Sequence, residues 1–530
     1  MAQRADERVF VTTDRNWYAA GETVYLSAFC ADVSDGFRLS PVSATAYVEL
    51  TSADGLAVGG KVALNRGRGA GSLSLPLSLP TGNYRLCAYT RLTTANPMAA
   101  SRIISVYNTL SSARVPGGVT VGTAPESVPF PSSQDCIGVQ RLPDGKIRLE
   151  GKQDATVSVS VFRNQPFPSY GHITFQDVLE APSVPSAEVP EYDGEVITLH
   201  LSKADGSPLT NQDSREVLIS RPGHPGEVYP ARVQPDGTAR VITGNLLGAV
   251  DLVVTLEEDA PAFRVQVEDP FRALAPSPVP ALVLDPSQAG ALSRLGVRMQ
   301  ITSAFDADTL YTRLPSRSLD MLPEKKVHYS LDDYTRFATL QEVFTEFLSY
   351  IRANRQEEKV DLQVYYRTRE GGPLTYGNGK SLILVDGVPV LDHSLVYNLD
   401  PSLVKAVDVY PNTYALGDKQ YRGIANFVTY KGDMGGIRFG NNVRILEFDG
   451  PSYPVAFSPS SDSGYPNQRE TLLWQPMLEL KAGEEWILPS LEAEEGLVLV
   501  VEGVTSDGAP VCFRSIFEDS DKDLKILENE

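Results

Sequence analysis

Residues 9–32 read VFVTTDRNWYAAGETVYLSAFCAD, and two features of this stretch point to a sandwich. Val24, Leu26, Ala28 and Cys30 recur with period two, the spacing that puts every second side chain on one face of a β-strand. Gly21-Glu22 breaks the chain just before that strand. Going outward, Tyr47 and Glu49 alternate with Val48 and Leu50. Ala53-Asp54-Gly55 and Pro80-Thr81-Gly82-Asn83 supply the turns. Short strands at regular spacing over residues 1–110 predict an all-β sandwich.

The remainder of the chain repeats this pattern with one interruption. At 530 residues the chain exceeds what one hydrophobic core serves, so about three to five domains are expected. Gly (42) and Pro (38) are plentiful enough to suit many short strands joined by turns. After a Pro/Gly/Ser/Val-rich linker over residues 111–133, residues 134–181 predict a short β segment, too small for a sandwich of its own. Residues 182–190 form a second linker. Residues 191–268 predict a sandwich whose turns are Ala204-Asp205-Gly206 and Pro235-Asp236-Gly237. It resembles, weakly, transthyretin-like or carboxypeptidase-regulatory-like modules, which are non-catalytic. A Pro-rich connector, 270–286, follows. Residues 287–440 then predict an α+β domain, and 441–530 a C-terminal sandwich with an acidic tail. In the α+β domain Leu340, Val343, Phe344, Phe347, Leu348 and Ile351 fall on one helical stripe behind a Thr339/Glu342 capping box. Asp386-Gly387 between two apolar runs predicts a two-residue hairpin with both central residues at positive φ.

Two resemblances follow from these residues. Asp14 to Tyr18, Gly21-Glu22-Thr23-Val24-Tyr25 and Pro80-Thr81-Gly82-Asn83-Tyr84, in that order, resemble an alpha-2-macroglobulin-type sandwich domain. Leu384-Val385-Asp386-Gly387-Val388-Pro389, then Leu399-Asp400-Pro401 with Val407-Asp408-Val409, then Tyr421-Arg422-Gly423-Ile424-Ala425-Asn426-Phe427, resemble the plug domain of TonB-dependent outer-membrane receptors. Both departures from these families are informative. None of the four cysteines sits in a Gly-Cys-Gly-Glu-Gln thioester motif. The roughly 95 residues after the plug-like region cannot supply a receptor barrel, whose strands need roughly 9–11 residues each. The fold class expected is therefore mainly β and multi-domain: several immunoglobulin-like or macroglobulin-type sandwiches plus one plug-like α+β domain.

The charge argues about partners. Lys and Arg number 47 against 67 Asp and Glu, a net −20, which disfavours nucleic acid and anionic membrane surfaces. No apolar run approaches membrane-helix length. The opening Met-Ala-Gln-Arg-Ala-Asp-Glu reads as a mature N-terminus left by signal removal. The five histidines, His172, His200, His224, His328 and His393, are scattered without metal-site spacing. Neither a Gly-x-Ser-x-Gly elbow nor a phosphate loop occurs. Cys30 and Cys87 lie on strands of the first domain, as a cross-strand disulfide or as two buried thiols. No cofactor and no metal are expected, and catalysis is not.

The resulting expectation is a non-catalytic binding or adaptor protein, exported and periplasmic or outer-membrane-associated, whose plug-like domain docks on an outer-membrane protein or envelope complex. The alternatives are an accessory subunit of a TonB-dependent nutrient-uptake receptor, and a macroglobulin-like protease-binding protein without thioester. The surfaces predicted to meet the partner are the 412–422 loop, with Asp418, Lys419 and Arg422 exposed, and the 371–380 loop ending at Lys380.

Overall fold

The computed structural model describes residues 5–517, apart from 35, 95, 133–135, 143–145, 183–189, 225, 245, 273, 275–276, 306–311, 314–321, 323–325, 334–336, 358, 369–371, 378, 458–466 and 492. The second linker and the acidic tail therefore lie largely or wholly outside the described residues. The chain is mainly β and multi-domain, and it forms two compact units. One comprises 1–192, 271–316 and 451–530, the other 193–270 and 317–450.

In the first unit the N-terminal sandwich is built as the period-two pattern dictates. One sheet pairs Glu7–Thr13 and Arg68–Ser74 with Thr23–Asp32. The facing sheet carries Thr45–Ser52, Gly82–Tyr89 and Arg102–Tyr107. Val24, Leu26, Ala28 and Cys30 pack in the core with Val48, Leu50, Leu86 and Ile104. The tyrosines of the quoted motifs close their own turns. Tyr18 Oη donates to Asp14 Oδ1 at 2.7 Å, and Tyr84 Oη to the Pro80 carbonyl at 2.7 Å. All four cysteines are buried free thiols. Cys30 faces the sandwich core, whereas Cys87 lies on the other sheet with its Sγ 3.5 Å from Met98 Sδ. Burial pushes the Cys87 and Cys512 thiols up to about 12.

Residues 134–181 and 441–530 are not separate domains. Ala155–Arg163 lies between Thr471–Leu480 and Leu497–Thr505, antiparallel to both. Ile147–Gly151 pairs with Glu485–Leu488. All nine residues of Ala155–Arg163 are buried, and a strand buried throughout needs neighbours on both edges and both faces. The short segment obtains them from strands more than 300 residues downstream, so one composite sandwich replaces two predicted units. The predicted first linker and the Pro-rich connector also pair: Val119–Val121 runs parallel to Leu282–Leu284. The helix Ala289–Phe305, assigned from sequence to the α+β domain, belongs to the first unit instead. Its Ala291, Leu295 and Met299, at i, i+4 and i+8, join Trp17, Tyr107, Phe162 and Phe167 in one core.

The N-terminal and composite sandwiches share buried polar contacts. Thr12 and Ser158 hydroxyls meet at 2.8 Å, and Ser27 donates to the Pro476 carbonyl at 2.7 Å. Arg15 pairs with Glu22 at 2.9 Å, and Glu22 Oε2 accepts from the Ala19 N–H at 2.6 Å. Burial pushes the Glu22 carboxyl from 4.5 up to about 7, against the pull of Arg15; Glu470 and Asp14 raise it further. Because the folded state then binds this proton more tightly than the unfolded state does, Glu22 contributes stability that is full below about 4.5 and is lost as pH rises towards 7. Glu22→Gln is expected to flatten that part of the stability–pH curve, measured by urea titrations at pH 5 and pH 8. An unchanged slope between the two would remove Glu22 as its source.

In the second unit, Val196–Lys203 lies between Thr238–Ile242 and Phe263–Val267, facing a sheet of Glu216–Ser220, Val228–Arg232, Ala249–Leu256 and Val443–Asp449. The predicted 441 boundary thus falls wrong, because Val443–Asp449 completes this sandwich. The α+β part is a five-stranded mixed sheet ordered Val327–Ser330, Val404–Leu416, Lys419–Thr429, Leu382–Val385, Val388–Pro389. Asp386 and Gly387 have φ of 49° and 83° between the paired Val385 and Val388, the expected hairpin geometry. Side chains fix this turn. Asn426 Oδ1 accepts from Gly387 N–H at 2.9 Å, and the buried Asp386 carboxylate accepts from the Thr429 and Met434 N–H groups.

The predicted long helix is short. It runs Leu340–Glu346, with Thr339 as N-cap, and Phe347 leaves helical geometry at φ −124°. The Glu342 carboxylate reaches Ala338 N–H. Leu348 and Ile351 still enter the same core as Val343 and Phe344. Ile351 does so as the first residue of a strand paired with Lys359–Val364. Helical and extended chains can both bury a residue at such offsets, which is why the apolar stripe misled.

Candidate functional site

The residues predicted to greet a partner are mostly engaged inside the second unit. The expected 412–422 loop is itself strand: Val404–Leu416 and Lys419–Thr429 form a long hairpin that turns at Gly417-Asp418. Its tip is clasped by the neighbouring sandwich. Asp418 receives Arg232 Nε at 2.8 Å and Nη2 at 2.7 Å, a bidentate pair that holds its carboxyl below the usual range. Lys419 Nζ lies 3.1 Å from both Glu216 and Glu257. Burial pulls Lys419 down, but the two carboxylates outweigh it, so its ammonium sits above its ordinary range. Arg422 donates to Tyr366 Oη at 2.9 Å, and its guanidinium lies over that ring. Asp418 is exposed as expected, whereas Lys419 and Arg422 are only partly so, and all three side chains are paired within the unit. The sequence showed the charges on the hairpin but not the sandwich that answers them. Lys380 is likewise exposed, and its backbone does the structural work, its carbonyl accepting from Arg422 N–H at 2.9 Å.

A measurable consequence follows. Charge reversal at exposed, unpaired side chains would leave stability unchanged. The structure reverses this, because Lys419→Glu would set a third carboxylate against Glu216, whose side chain is 8% exposed. We expect a loss of about 1–2 kcal/mol in chemical denaturation, discounted because Lys419 itself is 40% exposed. Lys380→Glu should lose nothing measurable.

Lys380 and Lys419 do share one feature: both line a polar cleft of about 1100 Å³ between the sandwich and the α+β part of this unit. Arg215, Lys359, Lys380 and Lys419 line it together with Glu257, Glu258, Asp259, Asp361 and Asp392. Asp418 and Arg422 do not line it. Its wall includes the start of the helix His393–Tyr397, capped by Asp392, whose carboxylate accepts from Ser394 N–H. His393 Nδ1 accepts from the Leu362 N–H at 3.0 Å and lies 3.4 Å from Asp361. That contact holds the Asp361 carboxyl below its usual range. Ser394 Oγ accepts from Val360 N–H at 3.2 Å. The edge of Lys359–Val364 is thus satisfied by side chains, and His393 and Ser394 serve the backbone. Sequence reading missed the acidic wall, although its signal is visible: Glu257-Glu258-Asp259 is an acidic run directly after a strand.

Elsewhere the histidines are dispersed. His328 pairs with the buried Asp408 at 2.6 Å, and His200 lies 3.2 Å from Glu268 on an exposed face. Among the described residues, no three metal-binding side chains converge, and no helix is long and apolar enough to cross a membrane.

No protein-family model matches the chain, and no curated protein does. Solved structures give low superpositions. Native alpha-2-macroglobulin of Escherichia coli is 10% identical at a TM-score of 0.23, covering 96% of this chain and 39% of that one. Salmonella alpha-2-macroglobulin reacted with methylamine is likewise 10% identical at 0.23, covering 97% and 39%. The Escherichia coli adhesin FdeC is 13% identical at 0.15, covering 49% and 63%. This chain thus spans about two fifths of the length of those macroglobulins, and superpositions at this level establish no shared fold.

Proposed function

We propose that this chain is a non-catalytic, exported envelope protein whose second unit binds a protein partner through the polar cleft. The observation that carries this reading is the cleft's lining: four cations and five carboxylates share about 1100 Å³ with an apolar floor that includes Leu382, Ile383, Val390 and Tyr421. Such a surface suits a charged, extended peptide segment better than an apolar small molecule, whose pockets are mostly hydrophobic. Opposed charges of both signs set register and select against wrong partners more than they add affinity. The motifs resembling a TonB-receptor plug lie in the sheet beneath this cleft, and on that resemblance the partner is an outer-membrane protein or an envelope complex. The N-terminal sandwich, resembling a macroglobulin-type domain, then serves as a spacer or a further docking face.

The test is site-specific photo-crosslinking in cells. A photoreactive residue at Lys380 or Gln420, both on the cleft, should give an adduct with one envelope protein. The same residue at Lys152, in the first unit, should not. Lys359→Glu with Lys380→Glu should reduce the adduct while leaving the melting temperature unchanged. Equal adducts from all three positions, or none from the cleft, would refute the reading.

A further inference from the structure

In the first unit, the N-terminal and composite sandwiches line a small recess of about 30 Å³, walled by polar groups from Thr13 to Asn16, by Arg102, His172, Glu502 and Arg514, and by apolar side chains. That volume holds about two waters or one monatomic ion. The charges around it decide between these. Arg102 is satisfied by Glu502 at 2.8 Å. Arg15 gives Nη2 to Glu22 at 2.9 Å, but its Nε and Nη1 are buried and make no hydrogen bond to a described residue, Asp14 Oδ2 being 3.7 Å from Nε. Arg15 as a whole is only 6% exposed. Arg514 Nε is buried and likewise unbonded, as is the Thr13 hydroxyl. Among the described residues Arg514 has no carboxylate partner, and burial alone pulls its guanidinium below the ordinary range.

Of the three guanidinium groups, Arg15 is answered by Glu22 and Asp14 and Arg102 by Glu502, which leaves Arg514, part-buried with its Nε wholly so, without a carboxylate among the described residues. Burial, then Arg102 and Arg514, push His172 down to about 3, so the imidazole on this wall adds no further positive charge at neutral pH. A buried cation without a counter-charge is costly, and a donor without an acceptor adds to the cost. Both are relieved by the same occupant.

We propose that this recess is a binding site for a single monatomic anion of the halide class, held between the guanidinium groups of Arg15 and Arg514. The Arg15 nitrogens, Arg514 Nε and the Thr13 hydroxyl are its donors. Phe130, Phe162 and Val500 on the same wall suit a large, weakly hydrated halide such as chloride or bromide better than fluoride. The anion links two sandwiches contributed by distant parts of the chain, since Thr13 and Arg15 belong to the N-terminal one and Arg514 to the last strand of the composite one. Its role is to fasten them together.

The full chain is to be melted in sodium chloride, bromide and gluconate at equal ionic strength, and crystals soaked in bromide. Chloride and bromide should raise the melting temperature over gluconate by about 2 °C or more once the halide is well above its dissociation constant. An anomalous bromide peak should lie between Arg15 and Arg514. Arg514→Met, which removes the uncompensated charge at similar volume, should melt no lower than the parent in gluconate and should show no halide effect and no peak. Ordered water in place of bromide, or a halide effect that survives in Arg514→Met, would overturn the proposal.

Discussion

Replacing Arg102 by Met is expected to cost the first unit about 3–5 kcal/mol in urea denaturation, although it removes a single ion pair. Arg102 and Glu502 meet at 2.8 Å with side chains only 4% and 2% exposed. The arginine stands on the N-terminal sandwich and the glutamate on the composite one, so removing either leaves the other largely shielded from bulk water. Glu502 would be left charged in a low-dielectric site, opposite Cys512 on the adjacent strand. The cost is that of the stranded charge rather than the net worth of the pair. It follows that Arg102→Met with Glu502→Leu should recover most of the loss, because exchanging a whole buried pair for apolar groups is often near neutral. A double variant as unstable as the single one would mean that Arg102 acts mainly through its other contacts, such as its Nε on the Val11 carbonyl at 3.4 Å.

How much of this was legible in the sequence depended on the range of the information required. The N-terminal sandwich was legible because its inward positions alternate locally, as at Val24, Leu26, Ala28 and Cys30. The Asp386-Gly387 turn was legible because a two-residue loop at positive φ is a local demand on residue type. The composite sandwich was not, because Ala155–Arg163 carries no sign of which strands will flank it. Its partners at Thr471–Leu480 and Leu497–Thr505 are chosen by burial over the whole chain. The helix Ala289–Phe305 was placed within the predicted α+β domain, and its destination was misjudged for the same reason: an apolar stripe states that it needs a cover, not which one. On the long hairpin, Asp418, Lys419 and Arg422 were identified as chemically prominent, but a charged hairpin tip reads alike whether it meets solvent or Arg232 and Glu216. Lys380 keeps its place in the docking hypothesis because its side chain is exposed at the cleft.

The largest effect in the second unit should come from Phe427, not from the Phe347 that the helical stripe singled out. Phe427 is fully buried in Lys419–Thr429, the strand between Val404–Leu416 and Leu382–Val385. Its register partners are Val407 on one side and Val385 on the other. Its ring meets Phe344 edge-on at 5.9 Å, and Phe344 in turn stacks on Tyr397 at 5.8 Å. Phe427→Ala therefore empties a site walled by two strands and two helices, at about 3–5 kcal/mol. The lost edge-to-face contact accounts for about 0.5–1.5 kcal/mol beyond area. Phe347 is different, because the helix has ended there. Its ring is half-buried and packs edge-on to Tyr329 at 5.3 Å. Phe347→Ala should cost less than about 2 kcal/mol, since a partly exposed ring has less area to return to water. The two variants, compared by chemical denaturation of the full chain, separate two readings of one apolar stripe. If Phe347→Ala proved the more damaging, the helix would continue past Glu346 and bury that ring as the sequence periodicity alone suggests. The expected order, Phe427 well above Phe347, instead places the core of this unit on the sheet that carries the hairpin, with the short helix as its cover.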